Sequence, residues 1–430
     1  MSTFNRFATP RAYVDLISYL LSTGWRDLSN FSLRQDGSDT INIVNGVEAN
    51  LYDMRPHDYL ELNSNNQAFY IQIDTGVTLS SLTESSFIAI LNHNFQEAQA
   101  VFKVEVASTS GFTQISSDEI AFSSTGNAMQ DTGTNNAFSS LTAGQTIEIS
   151  GASNSGNNGT KTIATKSDNN NITVSESLTT EGASQTIVIK ANTITASATG
   201  NHTKLINATA DSVADYIEPT ENGWTLITFP KIENRSRYVR ITIQDKDGSG
   251  SDFASNPIIG GILYGEYIDF PVSPELGIKT SYAYDNTVLS SSTGGNTFAN
   301  TTNFGSPVWG STLPFMNTSS PHPSTQTYLK RHGRQKYSMN FSYISDTDLF
   351  TTNQFASVHD NATHFYDAET LHSNFYNRIL GQHQPFLFSI DSTSTSEGDY
   401  GMYRMAKDSF TATQVANRTY NIGLDLVETW

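Results

Sequence analysis

The sequence predicts a mainly β protein: a β-sandwich built from two separated stretches, a small β-domain inserted between them, and a C-terminal α+β, antiparallel-sheet unit. Three observations predict it. Short runs of β-branched and aromatic residues alternate with Ser, Thr, Asn and Gly along most of the 430 residues, the pattern of half-buried strands joined by polar turns. Aromatics reach 11% while charged residues are only 15%, a balance that disordered chains lack. Large aromatics nearly vanish between about Phe112 and Gly200, and the alternation that stops near Ser108 resumes after Gly200 at "WTLITFP" and "RYVRITIQD". The length suits two or three domains at roughly 100–200 residues each.

Residues 1–27 read as an N-terminal helical segment. Thr9 stands as its cap, Pro10 at its first turn, and Val14, Leu16, Ile17, Leu20 and Leu21 form an apolar face before Gly24. From about Leu28 the period changes to two. "FYIQIDTG" (69–76) and "SFIAIL" (86–91) are strands, Asn92-His93-Asn94 is a turn, and "AVFKVEVAS" (100–108) is the returning strand. Residues 28–112 and 201–270 therefore make one discontinuous domain, because the pattern continues across the gap. Within 113–200, "QTIEISG", "GTKTIAT", "NITVSES" and "QTIVIKA" are strands at short spacing with Gly and Asn between them.

The third portion is 271–430. It opens with a hairpin turning at Thr293-Gly294-Gly295-Asn296, followed by a second turning near Arg331-His332-Gly333-Arg334. Helices are expected at 346–358 and 368–380, the latter carrying Leu371, Phe375, Ile379 and Leu380 on one side. The strands "PFLFSID", "GMYRMA" and "RTYNIGLDLVETW" complete it. Open sheet edges in such a unit suit pairing with neighbours in an assembly.

The formal charge of −18, with 24 Lys and Arg, argues against nucleic acid as a partner, since phosphates need a basic patch. The absence of cysteine removes disulfides, thiolate zinc sites and cysteine nucleophiles. Near the N-terminus Asp15 interrupts the apolar run, so neither a signal peptide nor a membrane insertion is expected, and the product should remain in the cytoplasm where it is made.

Four ordered pieces carry a family resemblance. "ANLYDMRPHDYLEL" (49–62) looks like an opening turn and strand, and "FYIQIDTGVTLSSL" (69–82) like the strand leading to an Asp-Leu-Gly step, with Thr75 in place of Leu. "FIAILNHN" (87–94) is like the next core strand, and "RYVRITIQD" with "IIGGILYG" (258–265) like the closing pair. Together they resemble the discoidin-like, galactose-binding-like jelly roll. Joined to a polar inserted module and a strand-rich C-terminal unit, that jelly roll resembles, in order of domains, structural proteins of tailed bacteriophages at the tail tip, baseplate or fibre attachment. The resemblance implies a non-enzymatic virion protein of the tail, assembled in the host bacterial cytoplasm. It would be homo-oligomeric and in contact with other tail proteins through ring or collar contacts. It also implies two alternatives: a receptor-recognition fibre protein that binds a bacterial surface glycan, and, ranked last, a polysaccharide depolymerase.

His93 between two asparagines reads first as a turn residue bonded to local backbone. Its second reading makes Asn92, His93 and Asn94 glycan contacts at the loop end of the jelly roll, with Tyr52, Tyr59 and Trp224 as stacking platforms. "HDNATHFYDAETLH" gathers His359, Asp360, His364, Asp367 and His372, without a spacing that sets two metal ligands on one helical face. "DKDGSGSD" (245–252) starts like a calcium loop but has Asn256 where the bidentate Glu belongs. The carboxylate pairs Asp245/Asp247 and Glu397/Asp399 carry no information on the separation a glycosidase needs. Lys330, Arg331, Arg334 and Lys336 form a small basic cluster suited to an acidic neighbouring subunit. No GxSxG or P-loop occurs, and the expectation is no catalytic residue, no metal and no cofactor.

Overall fold

A computed structural model of the chain describes residues 8–35, 40–76, 85–107, 114–133, 135–139, 141, 143–144, 146–191, 193–195, 202–210, 216–230, 237–248, 250–284, 287–300, 309, 333–350 and 370–429. Strand accounts for 48% and helix for 12%, in several antiparallel sheets, so the mainly β reading holds.

Two sheets face each other across the largest core. One carries, in order, Ala208–Ala210, Ile217–Pro219, Ala100–Ala107, Tyr238–Asp245, Ala68–Asp74 and Phe31–Gln35. The other begins with Lys204–Ile206, Gly223–Pro230, Ser85–His93 and Gly261–Asp269. The two-residue period decides which side chains enter. Along Tyr238–Asp245 burial alternates strictly, so Val239, Ile241 and Ile243 point inward. Arg240 points outward, over the Tyr70 ring at 4.6 Å and onto the Gln72 amide. Ile241 stands opposite Ile71 on one side and Val104 on the other. Residues from before Ala107 and from after Lys204 thus line one hydrophobic core, among them Phe69, Ile90, Phe102, Phe229, Ile243 and Ile262.

The N-terminal helical expectation is corrected. Arg11–Asp15 is a strand, and the helix is confined to Leu16–Ser22, capped not by Thr9 but by Asp15, whose carboxylate accepts from the Ile17 and Ser18 N–H groups. The strand is sandwiched between Gly261–Asp269 and Phe386–Ser389, with both faces covered. Ala12 and Val14 enter one core and Tyr13 another. A strand buried on both faces is continuously apolar, and that run merges with the helix behind it, so periodicity cannot divide the two. Gly265 makes the close pairing feasible, because a Cβ there would run into the Val14 carbonyl.

The inserted stretch forms a seven-stranded antiparallel sheet in the order Gln114–Ser117, Ile187–Ala191, Thr146–Ser150, Gly159–Lys166, Asn171–Val174, Ala128–Asp131 and Ile120–Ser123. It closes on its own core of Phe122, Met129, Phe138, Ile149, Ile163 and Ile189. Its exit is tied down twice. Thr193–Thr195 pairs with Glu105 to Ala107 of the sandwich, and buried Lys190 meets buried Glu105 at 2.8 Å.

The C-terminal portion continues the sandwich sheet rather than starting a new one. Beyond Gly261–Asp269 the order runs Arg11–Asp15, Phe386–Ser389, Tyr400–Met405, Thr419–Glu428, Arg334–Ser345 and Lys279–Ala283, with Ala412–Ala416 also on Thr419–Glu428. Phe270, Phe341, Phe375, Phe386 and Phe388 fill its core, with Phe270 stacked on Phe341 at 5.0 Å. The helix expected at 346–358 is a single turn, Asp346–Leu349, capped by Ser345, and 351–369 lie outside the described residues. That expected at 368–380 shortens to a widened turn, Leu371–Tyr376, and the chain takes positive φ at Leu380 and Gly381. Val288–Ser291 and Thr297–Asn300 form the first expected hairpin, turning at Gly295 with φ +85°. The first arm of the second hairpin lies outside the described residues; its other arm begins the strand Arg334–Ser345.

Candidate functional site

The Asn-His-Asn stretch is buried, with Asn92, His93 and Asn94 at 5%, 0% and 1% exposure. It is the end of a strand, Ser85–His93, leading into the one-turn helix Phe95–Ala98, and not a solvent-facing hairpin turn. His93 Nδ1 accepts from the Phe95 N–H at 3.3 Å, which leaves the ring proton on Nε2, 2.9 Å from Thr225 Oγ1. Burial pushes this imidazole down to about 3, so it is neutral at physiological pH. Asn94 donates to the Asn256 carbonyl and accepts from the Ile258 N–H, tying the strand end to the segment after the 245–252 turn. Asn92, in the left-handed region at φ 48°, donates to the Pro56 carbonyl. All three side chains are committed to backbone or a neighbouring hydroxyl.

The other glycan candidates are scattered. Tyr52 is buried against Phe31 at 4.8 Å between ring centres. Tyr59 is half-buried on the loop beside Leu60. Trp224, half-buried next to a strand irregularity at Gly223, packs on Tyr400 at 5.7 Å. These residues do not converge on one open platform.

A polar cleft lies beside this end of the sandwich instead. It has a volume of about 410 Å³ and is lined by Phe95, Gln96, Gln99, Val101, Glu218 and Lys246, among others. Its two ionic lining residues, Lys246 and Glu218, pair with each other at 2.5 Å. What remains to a ligand is mainly amide donors and acceptors from the glutamines, a chemistry suited to hydroxyl-rich molecules.

The remaining candidates divide by location. His359, Asp360, His364, Asp367, Lys330 and Arg331 lie outside the described residues. His372 is half-buried among Phe350, Tyr376 and Phe410, and burial lowers its pKa. Asp245 is buried and accepts from the Asp247 N–H, and Asp252 accepts from Gln67, so both carboxylates are already engaged in hydrogen bonds within the protein. Glu397 accepts from Asn207 and Asp399 from Ser394. Arg334 and Lys336 lie on a strand, where Arg334 donates to the Glu428 carbonyl. Among the described residues no group of three or more His, Asp and Glu is placed to hold a metal, and no helix is long and apolar enough to cross a membrane.

Two features went unread in the sequence. One is a buried ion pair, Glu266 with Arg378, at 0% and 4% side-chain exposure, where the sandwich meets the C-terminal core. Its signal is a glutamate inside the apolar run "ILYGEYI". The other is an apolar arm. Tyr282, Tyr284, Val288, Leu289 and Phe298 are 53–68% exposed, and Leu276 is fully exposed. Every residue of Val288–Ser291 and Thr297–Asn300 faces solvent, and the preceding strand Lys279–Ala283 ends the long sheet. Between Leu276 and Asn300 the sequence has one Lys and one Asp, a neutral stretch in a strongly acidic chain.

No family model and no curated protein matches the chain.

Proposed function

We propose that the chain is a non-enzymatic structural protein of a tailed-bacteriophage tail or tail tip, held in an oligomeric ring or collar with its neighbours. The observation that carries the assembly part is the apolar arm. Leu276, Tyr282, Tyr284, Val288, Leu289 and Phe298 leave six large apolar side chains in water within one short segment, and exposed apolar groupings of this kind mark interaction sites. The edge strand beside it supports the reading, since an edge that no described strand pairs offers a row of backbone groups to a partner strand. The phage part rests on the order of domains read in the sequence. Sedimentation of the full chain over a range of concentrations, with negative-stain images, tests the proposal. Closed rings or collars are expected, and a species that stays monomeric at every concentration refutes it.

The polar cleft at Gln96, Gln99 and Lys246 favours a second reading, a receptor-recognition protein that takes a bacterial surface glycan there. A glycan array probed with the full chain tests it. Hits lost on Gln99→Ala support it, and a blank array removes it.

A further inference from the structure

We propose that the turn Leu371–Tyr376 and the loop after it enclose a buried hydration site, in which ordered water bridges Ser373, Asn374, Arg378 and Gln384 beside the Glu266 carboxylate. Five side-chain atoms of this one segment are buried and have no hydrogen-bond partner in the protein: Ser373 Oγ, Asn374 Oδ1, Arg378 Nη2 and both polar atoms of Gln384. The four residues are 1–3% exposed. Native proteins pair such atoms with protein groups or with water, because a buried polar group bonded to neither keeps the full cost of its desolvation. Their concentration between Ser373 and Gln384 points to one shared partner.

The backbone brings these groups together. Leu371, Phe375 and Ile379 recur every four residues and enter the C-terminal core. Asn374 and Arg378 keep the same spacing one position earlier, so they form the neighbouring stripe on one side of the turn. The Ile379 N–H bonds the Phe375 carbonyl at 3.1 Å, which carries that spacing past Tyr376. Positive φ at Leu380 and Gly381 then turns the chain back, and the Gln384 N–H donates to the Ile379 carbonyl at 2.9 Å, next to Arg378. Arg378 Nη1 donates to Glu266, on the strand Gly261–Asp269 against which the turn packs.

Charge and bonding capacity select water as the occupant. Arg378 is already matched by Glu266, so an ion would enter this buried place without a countercharge. The open groups are of both kinds. Arg378 and the Gln384 amide nitrogen donate, Asn374 Oδ1 and the Gln384 amide oxygen accept, and the Ser373 hydroxyl does either. Water serves both at once, and at two to four bonds per molecule the five atoms need on the order of two molecules. The apolar stripe of Leu371, Phe375 and Ile379 holds the turn on the core while the water completes its polar side.

Oxygen-17 relaxation dispersion on the full chain counts the water molecules held inside it. Gln384→Met keeps the length of the side chain while removing both of its open groups. The variant should hold about one or two fewer long-lived waters than wild type and unfold about 2–4 °C lower, because Asn374 and Arg378 lose their bridge. Asn374→Leu, which removes a partner from the other side of the site, should give the same loss. An unchanged count in both variants overturns the proposal. So does a raised unfolding midpoint, since removing dry, unpaired groups would stabilise the fold. Where a variant fails to fold, a wild-type density map that resolves water decides. Peaks within about 3.2 Å of Arg378 Nη2 and of the Gln384 amide are expected, and empty density there overturns the site.

Discussion

Replacing His93 with glutamine removes a titration that the fold suppresses. In the unfolded chain this imidazole titrates at its ordinary 6.5, whereas in the native protein burial lowers it to about 3. A depressed native pKa makes the stabilising contribution complete above 6.5, and it is lost progressively as pH falls from 6.5 towards 3, because the unfolded state takes up a proton that the native state refuses. Between pH 7 and pH 5 the loss is about 2 kcal/mol, roughly one and a half pH units at 1.36 kcal/mol each. Glutamine carries an N–H donor that can reach towards Thr225 Oγ1 but cannot replace both ring contacts, so the variant should start about 1–3 kcal/mol less stable at pH 7. That offset drops out of the comparison. Urea unfolding of both proteins at pH 7 and pH 5 should find the wild-type advantage shrinking by about 2 kcal/mol at the lower pH. Parallel profiles for the two proteins would show that His93 is not held neutral by burial, and the assignment of its proton to Nε2 would fall with it.

Asp15 works in the opposite direction: burial raises it to about 6 against three backbone N–H donors. Its contribution to stability therefore grows as pH falls from about 6 to 4, and Asp15→Asn should abolish that gain in the same unfolding series. Arg378→Met should cost about 3–5 kcal/mol by leaving Glu266 charged and buried, and Glu266→Gln added to it should recover much of the loss in thermal unfolding. Gly265→Val should drive Arg11–Asp15 off its neighbour, seen as early proteolysis at the N-terminus while the inserted module, with its own core, stays protected.

The strand pattern was legible wherever one face of a sheet is wet. Tyr238–Asp245 alternates because Arg240 can reach solvent while Ile241 cannot, and the four runs of the inserted module alternate for the same reason. Gly295 marked the hairpin turn, since a positive φ there favours glycine. The pattern failed where both faces are covered: Arg11–Asp15 reads like the start of the helix that follows it. Candidate sites were less legible. A histidine flanked by asparagines looks the same in sequence whether it faces water or Thr225, because the partner sits some 130 positions away. The apolar arm was hidden for the converse reason, as Val288, Leu289 and Phe298 have the composition of a buried strand and nothing among the described residues folds over them.

The placement of Arg11–Asp15 has a bearing on synthesis. One of the two neighbours of this strand, Phe386–Ser389, follows it about 370 positions later in the chain. At ~5–20 residues per second the ribosome needs tens of seconds to deliver it. During that interval the central sheet has a gap at its midpoint, and a polypeptide broken off early can never fill it. Closing the sheet therefore waits on residues made long after Arg11–Asp15, and a chain cut before Phe386 leaves that strand with one neighbour instead of two.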